Sequence, residues 1–245
     1  MRENEPEITP NEDDFESYFK VEGTYSVRDE VYDVKGNVFL IRKVESFPFK
    51  FGTVTGSFDC SNKRLTSLKG APVKVGKDFD CSENNLISLE GAPKEVGRDF
   101  DCSENSLTFL EGAPKKVGGH FWCSENELVS LKGSPVEVGG SFWCDDNKIT
   151  TLKGAPEEVG GSFDCRFNKL TSLEGAPIKV GRAFWCYRNN LVSLKGAPKE
   201  VGGNFWCSYN NLTSLEGAPV KVGGNFYCNG NNLTKQENKR SYKIA

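Results

Sequence analysis

Nine cysteines, one histidine, four tryptophans and a series of aspartates are the side chains best equipped for chemistry. The cysteines stand at 60, 81, 102, 123, 144, 165, 186, 207 and 228, each 21 residues from the next. Thiols offer metal ligation, disulfide formation or nucleophilic attack, yet this spacing is not the C-x-x-C of a zinc or redox site. Immediately before the cysteines come Asp59, Asp80, Asp101, Trp122, Trp143, Asp164, Trp185, Trp206 and Tyr227. Every tryptophan of the chain is therefore in one column. Paired carboxylates suggest cation binding or acid–base work, and a tryptophan row suggests stacking against a ligand or a protein. His120 lies beside Trp122 with no outward nucleophile near it except common serines. No phosphate loop, zinc signature or hydrolase elbow is present. Catalysis is not expected, and neither is a cofactor or a metal.

The elements that position these side chains follow from the period. A fixed repeat of 21 residues means a solenoid, in which each unit is stabilised mainly by its neighbours. One unit runs from Val201 through Phe205, Cys207, Asn210, Leu212, Leu215, Gly217 and Pro219. Phe and Cys are two residues apart and so point to the same side of a strand. The phenylalanines from Phe58 to Phe226 are expected as an internal ladder beside the cysteines, which are read as free buried thiols. Leu or Ile five residues after Cys (Leu65 to Leu233, with Ile149), Leu eight after it and Val six before it complete the interior. Asn three residues after Cys runs from Asn84 to Asn231, with Lys63 in its place in the first repeat. A buried amide needs partners and carries both donor and acceptor, so it is expected to bridge adjacent coils. Gly-Ala-Pro makes the return turn.

The motif x-x-x-F-x-C-x-x-N-x-L resembles the leucine-rich repeat L-x-x-L-x-L-x-x-N-x-L. The segment N-x-L-T-S-L is similar to the short class found in secreted bacterial effectors. The fuller V-G-G-x-F-x-C-S-x-N-x-L-T-S-L-x-G-A-P resembles repeat proteins of large tailed bacteriophages, over residues 34–234. The resemblance implies a β-rich leucine-rich-repeat solenoid whose relatives usually bind other proteins. A unit this short leaves little room for a helix on the outer side. One curved parallel sheet of about ten strands is expected, with extended or 3₁₀ segments outside. Residues 1–33 read as an acidic arm and cap, with Phe15, Tyr18 and Phe19 at helical spacing and a hairpin after them. Residues 34–53 read as a degenerate capping repeat in which Val38 and Leu40 replace Phe and Cys. Nine repeats then fill 54–234, and 235–245 read as a polar tail.

Because the inward columns scarcely vary, information about a ligand is expected in outward positions: three and one before Cys, and one and two after it. Near the N-terminal coils these are acidic, with Asp78, Asp80, Asp99, Asp101, Glu83, Glu104, Glu125, Asp145 and Asp146. Toward the C-terminal coils they are aromatic with arginine: Arg166, Phe167, Trp185, Tyr187, Arg188, Trp206, Tyr209 and Tyr227, following Trp122 and Trp143. Trp, Tyr and Arg are the types enriched at binding hot spots. Asp78, Asp80, Asp99 and Asp101 form a close rectangle whose mutual repulsion would raise their pKa values or recruit a cation. A basic patch on a partner, a solvated acidic face and a calcium-like site all fit that quartet.

The expected function is a non-catalytic protein-binding scaffold using this face, with phage origin and a host protein as target implied by resemblance alone. Binding of a carbohydrate or a small nucleotide by the tryptophan row remains open beside it. The net charge of −3 opposes a long nucleic acid. No apolar run approaches the roughly 20 residues of a membrane span. The acidic start MRENEPEITP lacks the apolar stretch of a secretory signal, so a cytoplasmic location is expected, in host cytoplasm if phage-encoded. Oligomeric state is not legible.

Overall fold

The computed structural model describes residues 14–234. The arm before residue 14 and the polar tail 235–245 lie outside the described residues. The described residues open with a single helical turn, α1 (Phe15–Tyr18), followed by two ten-residue strands, β1 (Phe19–Arg28) and β2 (Val31–Leu40), paired antiparallel. Asp29 and Glu30 at the hairpin tip both have positive φ, 50° and 61°, which is the two-residue turn whose twist matches that of the strands. Next come β3 (Lys50–Val54) and β4 (Phe58–Asp59).

From β4 onward each coil contributes two strands of two residues, one beginning at Phe and one ending at Val. The Phe strands form an inner parallel ladder of ten: β2 supplies Val38 opposite Phe58, and the register then runs Phe58, Phe79, Phe100 through to Phe226. The Val segments form a second parallel ladder, Val54 against Val75 and so on to Val201 against Val222. The outer side is thus extended and itself hydrogen-bonded, with no 3₁₀ segment among its described residues. Both ladders share β2, so the strands make one sheet. This is the expected leucine-rich-repeat type of solenoid.

Two short ladders suffice because of the core that lies between them. The phenylalanine rings stack face to face along the axis with centroids 5.1 to 5.8 Å apart. The Phe, Cys, Leu and Val columns are buried from the first coil onward, with Leu233 in the last described coil only partly so. Burial of a side chain of this size contributes about 1.5 to 3 kcal/mol, repeated four or five times per coil. Close approach of coils is secured by glycine after Val: a Cβ on Gly181 would lie 2.1 Å from the Gly160 carbonyl oxygen. At the N-terminal end the ladder is covered by an aromatic cluster. Phe15 stacks on Tyr32 at 4.1 Å and on Phe19 at 5.2 Å, while Phe51 and Phe47 close over Phe58.

Two hydrogen-bond columns stitch the coils together. Each Asn side chain reaches back one coil: Asn84 Nδ2 donates to the Cys60 carbonyl at 2.9 Å and its Oδ1 accepts from Leu65 N–H at 2.9 Å. The pattern recurs through Asn231. Each thiol reaches forward: Cys60 Sγ donates to the Asp80 carbonyl, and this holds through Cys186, at 3.1 to 3.4 Å. Cysteine thus fills a small apolar volume and still supplies a weak donor. All nine are buried, and burial pushes the thiols from Cys60 to Cys207 well up. In native conditions at pH 7.5 an aromatic disulfide reagent should label fewer than about two thiols, and all of them in denaturant. Fast labelling of most thiols without denaturant would contradict the ladder.

Candidate functional site

The inner ladder presents its Cys−1 column outward, but only halfway. The tryptophans and Tyr227 are half-buried, and two pairs of them lie ring against ring on successive coils. Trp122 and Trp143 stack at 5.0 Å with their planes nearly parallel, and Trp206 stacks on Tyr227 at 3.8 Å. The row is broken at Asp164, which registers between Trp143 and Trp185 and is only 1% exposed. Strand parity alone gives it the same exposure as its neighbours, and the structure does not. Arg166 folds over it, with Nε 3.2 Å from Asp164 and Nη2 3.4 Å from Asp145, and Nη1 donates to the Tyr187 hydroxyl at 2.8 Å. Burial, with Asp145 adding to it, lifts the Asp164 carboxyl to about 7.

The strands end one residue before Cys, so the two positions after Cys lie on a turn rather than on the strand. The second of them is left-handed in every coil from the first to the eighth. Asn62, Glu83, Glu104, Glu125, Asp146, Phe167, Arg188 and Tyr209 have φ between 51° and 55°. Non-glycine residues occupy that region at a cost of about 1 kcal/mol or more each. From the second coil on, the Asn clamp one residue later holds the turn. The conformation throws these side chains outward along the rim of the face, with Tyr209 55% exposed.

The column three residues before Cys is a third stitching column, which strand parity did not reveal. Asp78 Oδ1 accepts from Asp99 N–H, Asp99 Oδ1 from His120 N–H, His120 Nδ1 from Ser141 N–H, and Ser141 Oγ from Ser162 N–H, at 2.7 to 3.2 Å. Asn37, Ser57, Ser162 and Asn204 do the same. The signal was present in the residue types, since all but Ala183 carry an acceptor. His120 is thereby accounted for: its Nδ1 is an acceptor, and its ring lies 5.2 and 5.1 Å from Trp122 and Trp143.

The aspartate quartet takes a different meaning in this light. Asp78 and Asp99 belong to the third stitching column. Asp80 and Asp101 accept from the N–H of Ser82 and Ser103, two residues on, at 2.9 and 2.8 Å. Asp101 is raised to about 6 and Asp80 in the same direction, with burial the main cause and neighbouring carboxylates secondary. Desolvation, not the mutual repulsion inferred from the sequence, dominates. No group of three or more His, Cys, Asp or Glu among the described residues is arranged to hold a metal ion.

Toward the C-terminal coils the rim and the strand face enclose an open concavity of about 590 Å³ lined by Trp185, Tyr187, Trp206, Tyr209, Phe167 and both arginines. The two arginines differ. Arg166 is engaged with carboxylates. Arg188 is held between two rings, 5.2 Å from Phe167 and 5.5 Å from Tyr209, and enters no ion pair among the described residues. Trp206 Nε1 is buried in the same wall without a hydrogen-bond partner.

No family model matches the sequence, and no curated protein matches it. Among solved structures, the chain is similar to YopM from Yersinia enterocolitica WA-314, with 20% identity and a TM-score of 0.49. The match covers 75% of this chain and 45% of that one, so the chain spans less than half of the length of YopM.

Proposed function

We propose that this solenoid is a protein-binding scaffold without a catalytic role, and that its partner docks on the strand face. The observation that carries the reading is the contiguous wall of Trp185, Tyr187, Trp206 and Tyr209 with Phe167 and Arg188 beside it. Half-buried and exposed aromatics with arginine in a broad concavity are the composition of a protein interface. An enzyme site would want a deeper cleft and convergent acid–base groups. His120 and the aspartates are instead consumed by backbone contacts. The acidic rim of Glu83, Glu104 and Glu125 is complementary to a basic patch on the same partner, and steers its approach. A host protein in the cytoplasm is the partner that the likeness to phage repeats suggests. No helix among the described residues is long and apolar enough to cross a membrane.

The test is capture from cytosol on the intact chain, repeated with the Trp185→Ala/Trp206→Ala variant, then titration of the purified partner. The double variant is expected to bind at least about 100-fold more weakly, the loss of two hot-spot residues, while keeping the far-ultraviolet dichroism of the parent. Equal binding by both proteins would remove the face from consideration. Tryptophan fluorescence that responds to a glycan or nucleotide panel, with no protein captured, would favour small-ligand binding.

A further inference from the structure

The concavity has an electrostatic imbalance that defines what fits it. Its only charged lining residues are Arg166 and Arg188. Asp164 and Asp145 face Arg166 at ion-pair distance, so that guanidinium is already compensated. Arg188 is not. Its flat guanidinium is sandwiched between Phe167 and Tyr209, a contact that satisfies its faces and leaves its in-plane N–H donors to a ligand. A guanidinium held by two rings on adjacent coils has lost much of its rotamer freedom before a ligand arrives, and that lowers the entropy lost on binding.

The neighbouring wall supplies the second observation. Trp206 Nε1–H is buried with no acceptor, and a buried donor without a partner is costly by about 1 to 3 kcal/mol. Tyr187 and Tyr227 pack on that indole. One uncompensated cation, one unpartnered donor and apolar walls define the occupant. It carries a single negative charge with two acceptor oxygens and apolar groups on each side. Two negative charges would exceed the one free guanidinium and would face Asp145 and Asp164 beyond it.

Resting on the reading of this face as a docking surface, we propose that the Trp185–Trp206 concavity is an anchor site for one carboxylate side chain of the partner, an aspartate or glutamate set between apolar residues. Arg188 grips the carboxylate in its plane, and the flanking apolar side chains lie on Trp185, Tyr187 and Trp206. Arg166 is a positioning residue, which holds Tyr187 by its hydroxyl and takes no part in the grip. The partner then carries an acidic anchor for this end of the face and basic groups for the Glu83–Glu125 rim, and that charge order fixes the direction in which it lies across the coils.

The test uses the full chain labelled with nitrogen-15 and three blocked peptides: acetyl-Phe-Glu-Phe-amide, acetyl-Phe-Gln-Phe-amide and acetyl-Phe-phosphoserine-Phe-amide. The four tryptophans give four indole N–H signals, assigned by single Trp→Phe variants. The glutamate peptide is expected to move the Trp206 and Trp185 signals, with an affinity at least about tenfold above that of the glutamine peptide, and to leave Trp122 and Trp143 in place. Arg188→Gln should remove the preference for glutamate, and Arg188 is exposed enough that the fold is kept. Equal shifts by the glutamate and glutamine peptides would overturn the anchor, as would tighter binding of the phosphopeptide, or no shift at all. A partner lost by Trp185→Ala/Trp206→Ala but kept by Arg188→Gln would leave the docking face standing and dismiss the carboxylate.

Discussion

Asn147→Ala is expected to lower the free energy of unfolding by about 3 to 5 kcal/mol, the range of a broken buried network. The amide donates to the carbonyls of Cys123, Cys144 and Asp145 at 3.0 to 3.2 Å, and accepts from Leu128 N–H at 3.0 Å. Alanine fills neither role, and leaves three carbonyls and one N–H without the partner that joined them. The groups left unpaired are backbone groups of two successive coils, so the damage is to the joint between coils rather than to one turn. Asn147→Asp separates hydrogen bonding from size. It keeps the acceptor but sets a carboxylate among three carbonyl oxygens, so at neutral pH it should be worse than alanine and should recover partly on acidification. Asn231→Ala, in the last described coil, should be milder, because its amide is only part-buried and water can take over its bonds. Urea titrations followed by circular dichroism measure all three. A loss below about 1 kcal/mol for Asn147→Ala would mean that the ladder is incidental to stability.

Arg166→Ala should destabilise the chain by an amount that grows with pH. Asp164 is buried at 1% exposure, and its carboxyl sits at about 7 against an ordinary value near 3.9 in the unfolded chain. The folded state thus holds the proton more tightly. The stability this group contributes is fully present below about pH 4 and is lost as pH rises through 7. Arg166 limits that loss by facing the carboxylate. Without it the charge has no close cation, and removing one partner of a buried pair costs about 3 to 5 kcal/mol. The deficit of Arg166→Ala is therefore expected to be small at pH 5, about 1 kcal/mol, and several times larger at pH 8. Adding Asp164→Asn to that variant should restore most of the stability at pH 8 and little at pH 5. Melting curves of the parent, the two single variants Arg166→Ala and Asp164→Asn and the double variant at the two pH values measure the coupling, and a deficit that does not change with pH would refute it.

The parts of this structure legible in the sequence are those set by alternation and period. Phe58, Cys60 and Leu65 announce an interior by recurring unchanged, and a buried Asn84 must bridge coils because it has nowhere else to satisfy its amide. What was not legible depends on how one coil's backbone meets the next. The Cys−3 column looks like free variation, Asp78 to Asp99 to His120 to Ser141, because the constraint is on an acceptor atom and not on a residue type. The left-handed turn at Glu104 or Phe167 is hidden because these residues ordinarily avoid it; Gly230 in the last coil is its single hint. Arg166 and Arg188 look alike in the sequence. They separate only when one is seen over Asp164 and the other between two rings. The aromatic stripe was legible as a surface; its half-burial was not, since parity says which way a side chain leaves the strand and nothing of what leans on it.

The Asn amides reach back one coil and the thiols reach forward. During synthesis, at about 5 to 20 residues per second, a new coil therefore emerges every few seconds onto a surface that already offers half its bonds. The aromatic cap around Phe15 and Tyr32 precedes all the coils in the chain and can template the first. The solenoid can thus grow like a zipper closed from one end, each coil waiting on the next to quench its last donors, and a stalled ribosome would hold a shorter version of the same object.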